Sequence, residues 1–126
     1  DRIAASGRLV TWPDQAALDR LVPASVVVEG TDGVLVALRR RPDEASAPLV
    51  VHLINRRYQR EGDKMLAHGP LRVKVRPDLT PGAKFTKALW HVPGQEPKTL
   101  PLEPAATAWS VGVPGLELWG ILTLAP

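Results

Sequence analysis

The sequence predicts an all-β fold: a two-sheet antiparallel sandwich of about eight strands, Greek-key or jelly-roll-like, with one short N-terminal helix. Three observations predict it. The 13 prolines and 10 glycines stand between apolar runs rather than in repeats, and such punctuation suits short strands joined by turns and suits long helices poorly. Residues 71–76 alternate cleanly, with Leu71, Val73 and Val75 on one face and Arg72, Lys74 and Arg76 on the other, the mark of a half-buried antiparallel strand. Only one segment, PDQAALDRLVP, carries a helical stripe.

Taken in order, residues 8–12 form a first short strand candidate, and the helix follows. Pro13 suits a helix entrance, Asp14 a first-turn acid, and Ala17, Leu18, Leu21 and Val22 make the apolar stripe that Pro23 ends. A helix this short needs packing to hold it. The runs SVVVEG and GVLVALRRR flank a glycine-bearing turn, so strands over 26–29 and 34–40 are expected to pair as a hairpin. APLVVHLIN, LRVKVR, AKFTKALWHV, KTLPLE, WSVGVPG and LELWGILTLA supply the remaining strands, with Pro-Gly turns at 81–82, 93–94 and 114–115. In LVVHLIN and LELWGILTLA both faces are apolar, which a strand with water on one side would not show. The outer faces of these two strands therefore call for a cover: the N-terminal helix, or a neighbouring domain or subunit.

At 126 residues the chain is expected to be a single domain over 1–126. It has no cysteine, hence no disulfide and no thiolate. No apolar run approaches the roughly 18 residues of a membrane span, and a membrane partner is not expected. The chain opens at Asp1 rather than a methionine, as a processed protein or a domain excised from a longer multidomain enzyme would.

The sequence provides no catalytic constellation. AWSVG around Ser110 lacks the first glycine of G-x-S-x-G and precedes a β run, not a helix. His52, His68 and His91 are scattered without a metal-ligand spacing, and no glycine loop that could cradle a phosphate precedes a helix. Catalytic residues, a metal and a cofactor are accordingly not expected, and the chain reads as a non-enzyme.

Binding chemistry has better material. Four tryptophans stand against one tyrosine and one phenylalanine, and flat rings stack on sugars and on bases. Trp109 and Trp119 are expected in the core or an interface, and Trp12 beneath the helix. Counting along KFTKALWHV puts Trp90 outward, opposite Phe85 and Leu89, with His91 beside it near the turn. Trp90 and His91 are thus ligand candidates, with Tyr58, Arg56 and Arg57 of the RRYQR stretch. The competing reading of Trp90 is packing, since large rings usually bury most of their area. Between residues 39 and 76 ten basic residues face four acidic ones. Arg72, Lys74 and Arg76, about 7 Å apart along their strand, could form an anion-binding stripe; the competing reading is a solvated face balanced by acids on neighbouring strands. A net charge of +3 is weak for a nucleic-acid binder, so nucleic acid is disfavoured. His52 is expected to be buried with a hydrogen-bond partner, and Asn55 to bond nearby backbone at the strand exit.

The order HLIN plus tyrosine and charged residues, the basic alternating strand, V-x-V-P at 111–114 and the final apolar strand resemble the β-sandwich appended C-terminally to catalytic barrels in several bacterial glycoside hydrolases. The resemblance spans about the last 80 residues. It implies an accessory domain with no catalytic residue of its own, whose partners are a carbohydrate, the catalytic domain of the same chain, or both. The residues leave the location open, and only the resemblance favours an extracellular or periplasmic one. The alternative from the residues is a protein-interaction or assembly domain using the doubly apolar strands, with an anion-binding domain third.

Overall fold

The computed structural model describes Ala16 and residues 24–41, 43–44, 46–76, 84–104 and 108–126. The strand expected at 8–12 and the helix expected at 13–22, Ala16 apart, lie outside the described residues, as does Trp12. The described strands are β1 (Val26–Glu29), β2 (Val34–Arg39), β3 (Leu49–Asn55), β4 (Tyr58–Gln59), β5 (Lys64–Met65), β6 (Leu71–Val75), β7 (Lys87–His91), β8 (Lys98–Leu100), β9 (Leu102–Pro104), β10 (Trp109–Val113) and β11 (Trp119–Ala125). They build a four-stranded sheet, β1-β6-β10-β9, a five-stranded sheet, β2-β3-β11-β7-β8, and a small β4-β5 ribbon. Every pairing between these strands is antiparallel. The all-β sandwich expected from strand rhythm is the fold.

Its core is the meeting of the two inner faces. Leu71, Val73 and Val75 of β6 and Val111 and Val113 of β10 face Leu49, Val51 and Leu53 of β3 and Leu122 and Leu124 of β11. All ten are buried, in the alternation that strand geometry imposes on sandwich strands. Trp109 packs against this core from β10 and meets Phe85 edge-on at 5.6 Å, a favourable aromatic arrangement.

Two expectations about connectivity are corrected. β1 and β2 are not a hairpin: β1 pairs with β6 and β2 with β3, so the EGTDG segment crosses from one sheet to the other. A turn read locally cannot distinguish these outcomes, because either strand finds an apolar neighbour. KTLPLE is likewise two strands. β8 pairs with β7 in the larger sheet and β9 with β10 in the smaller, and Pro101 stands at the crossing. Proline has no N–H for a ladder, so the chain changes sheets there at no cost in hydrogen bonds.

Candidate functional site

Asn55 organises one end of the sandwich. It closes β3, is buried, and uses its whole amide. Nδ2 donates to the Leu66 carbonyl at 2.8 Å and the Glu117 carbonyl at 2.6 Å, and Oδ1 accepts from the Arg57 backbone N–H at 2.8 Å. The role expected of it, a strand-exit device, is the observed one, extended to a residue 62 positions away. Beside it His68 and Leu116 exchange backbone hydrogen bonds of 2.9 and 3.1 Å, and His68 Nε2 lies 3.3 Å from the Gly33 carbonyl. Gly115 allows this approach, since a Cβ there would stand 2.9 Å from the His68 carbonyl oxygen. Three segments far apart in sequence are thus fixed together without loose polar groups.

Between them opens an end cleft of about 270 Å³. Trp90 and Leu116 are its buried apolar residues. Val92, Gln95 and Lys98 come from the β7–β8 hairpin, and Glu117 and Trp119 from the β10–β11 connection and the first residue of β11. Gln95, Lys98 and Glu117 are exposed. None of these polar residues stood out in the sequence. The available signal was that two of the three Pro-Gly turns, 93–94 and 114–115, are each followed within two residues by an amide or acid.

The structure does not bring the predicted ligand residues together. The outward placement of Trp90 is corrected and the competing packing reading is the observed one: it is 2% exposed, in the core, with its ring lying over Gly120, where a Cβ would collide with it. His91, the next residue, turns to the opposite face of the same strand, paired with Ile121. Tyr58, Arg56 and Arg57 belong to the exit of β3 and the separate β4-β5 ribbon. Tyr58 is 56% exposed and donates to Asp63 Oδ1 at 2.6 Å; this hydrogen bond raises its phenol above the usual tyrosine range.

The basic stripe is largely compensated. Arg72 Nη1 is 2.8 Å from Glu103 Oε2 and donates to Ser110 Oγ at 2.9 Å, while Lys74 Nζ is 2.5 Å from Glu29 Oε1. Arg76 donates its backbone N–H to the Ser25 carbonyl at 3.2 Å. Glu103 and Glu29 both come from strands of the same sheet, as the solvated-face reading requires.

The outer face of the larger sheet is the second notable surface. Leu35, Ile54 and Trp119 stand side by side across β2, β3 and β11 and are 48%, 37% and 38% exposed. The next row is Ala37, His52, Ile121 and His91, and the next runs from Arg39 through Val50 and Thr123 to Leu89. Leu118, beside the first row, is 62% exposed. The cover expected over both strands is therefore partial within the described residues. His52 is corrected too: half-buried rather than buried, it stacks on Trp119 at 6.4 Å with ring planes 13° apart. Among the described residues no group of three or more His, Asp or Glu could hold a metal ion.

Fold and site define a β-sandwich with an apolar outer face and an open end cleft. No protein-family model matches the sequence, and no curated protein matches it. Among solved structures the chain is similar to alpha-L-fucosidase isoenzyme 2 from Paenibacillus thiaminolyticus, with a TM-score of 0.58 and 13% identity. The match covers 87% of this chain and 17% of that one. At this identity the likeness is one of fold, and the chain corresponds to under a fifth of the fucosidase.

Proposed function

We propose that this chain is a non-catalytic accessory β-sandwich of a glycoside hydrolase, which docks against another domain of its parent chain. The observation that carries the reading is the match of 87% of the chain to a segment amounting to 17% of a fucosidase, the relation of a whole accessory module to its enzyme. The residues agree with it. Ser110, the one serine in a nucleophile-like context, is buried and held by Arg72. The carboxylate opposite it, Glu103, is paired with the same guanidinium, so it is held by a cation where a nucleophilic serine needs a free base. The surface available for docking is the row Leu35, Ile54 and Trp119 with Val50 and Ile121 behind it; contiguous exposed apolar residues of this kind mark interaction surfaces.

The test is activity of the purified chain on aryl fucosides, glucosides, galactosides and xylosides. Release of phenol at the buffer rate is expected, and turnover abolished by a single substitution would overturn the non-catalytic reading. The second reading, an assembly domain, uses the same outer face with a second copy as the occupant. Light scattering over a range of concentrations separates the two: a monomer throughout sinks self-association, and a concentration-dependent dimer lost in Leu35→Asp/Ile54→Asp establishes it.

A further inference from the structure

We propose that the end cleft binds a single ring of a neutral sugar. The proposal rests on the accessory-module reading for preferring a sugar over another small polyol; the rest is carried by the cleft. Its volume of about 270 Å³ lies just below the about 300–1,000 Å³ range of pockets for drug-sized ligands, so it takes one ring and not an extended chain. Its charged residues are one cation, Lys98, and one anion, Glu117, which together give no field favouring an ion of either sign. What they offer instead is mixed hydrogen bonding. Lys98 only donates, Glu117 only accepts, and Gln95 does both, a set complementary to neighbouring hydroxyls that each donate and accept. The apolar side, Val92, Leu116 and the exposed Trp119 over the buried Trp90, suits the C–H face of a sugar ring.

The cleft is also built in advance. The segment carrying Ala67 and His68 is joined to the one carrying Leu116 and Glu117 by the His68–Leu116 exchange and by the Asn55 amide, which bonds the Leu66 and Glu117 carbonyls. Binding would therefore order little on that side of the cleft and lose little affinity to ordering there. Glu117 is tied through its backbone carbonyl, which leaves its carboxylate for the ligand. Trp119 borders both this cleft and the outer face, so it cannot discriminate the two surfaces; Glu117 and Lys98 can.

The experiment is NMR titration of the ¹⁵N-labelled chain with methyl α-L-fucopyranoside, β-D-glucopyranoside, β-D-galactopyranoside and β-D-xylopyranoside, with glucuronate and glycerol as controls. At least one methyl glycoside should shift the Gln95 side-chain amide and the Gly115 and Glu117 amides together. Glu117→Ala and Lys98→Met should each weaken that glycoside about tenfold, the loss of one charge-assisted hydrogen bond, with an unchanged amide spectrum elsewhere. Silence toward every glycoside, equal or stronger response to glucuronate, or the same response to glycerol overturns the proposal. A silent cleft in a chain that hydrolyses nothing leaves the accessory reading standing; hydrolysis overturns that reading whatever the cleft does.

Discussion

Trp90 shows how far one residue can depart from local pattern. Phe85 and Trp90 differ in strand parity, yet both are buried. The conflict disappears because Phe85 precedes β7, which starts at Lys87, and packs against Trp109 of the other sheet from outside the strand phase. Trp90 then falls on the inner face with Ala88, and its ring occupies the space that Gly120 leaves on β11. A substitution at Trp90 therefore reports on folding and not on a surface-stacked ligand. Trp90→Ala should cost about 3–5 kcal/mol and Gly120→Ala about 1–3 kcal/mol through overpacking, read from urea midpoints. Because the two residues share one volume, Gly120→Ala combined with Trp90→Phe should cost less than the sum of the single variants. Additivity would show that the ring does not rest on Gly120.

At the scale of elements, the strands were legible wherever apolar alternation ran uninterrupted, as in β6, and where both faces were apolar, as in the adjacent central strands β3 and β11. Partners were not. Whether β1 meets β2 or β6 is a long-range choice, and both give its valines the same apolar inner face. The β4-β5 ribbon was hidden for another reason: RRYQREGDKM has too little apolar character to read as strands, and a side chain holds it. Tyr58 reaches across the turn to Asp63, itself at a φ of 45°, a left-handed conformation that aspartate tolerates better than most residues. Tyr58 should titrate above the usual tyrosine range, followed by the absorbance of tyrosinate. Its raised value means that whatever stability the hydrogen bond provides is complete below the unfolded phenol's pKa and is lost as pH rises through the folded one. Asp63→Asn keeps a side chain suited to that φ and removes the charge, so the Tyr58 titration should move down toward the ordinary value. An unmoved titration would mean that the Asp63 contact is not its cause.

For the whole molecule the question is what becomes of a basic surplus confined to residues 39–76. The sequence shows the surplus but not its neighbours, because Glu29 and Glu103 lie outside that stretch and reach it only through strand pairing and its diagonals. Folding places one acid beside Arg72 and another beside Lys74, which breaks the field of the stripe without adding much stability, exposed pairs being worth about 0–1 kcal/mol. Polyanion affinity should consequently be low, with elution from heparin below about 0.15 M salt, where the screening length is about 8 Å. Glu29→Gln with Glu103→Gln removes two negative charges, taking the formal net charge from +3 to +5, and frees both cations. That double variant should elute at clearly higher salt while its urea midpoint barely moves. If the unaltered chain already holds heparin well above physiological salt, the compensated stripe is the wrong account and a dedicated anion surface replaces it. If the double variant elutes with the parent, the two acids do not govern the field, and the residual affinity belongs to Arg56 and Arg57, both exposed at the exit of β3.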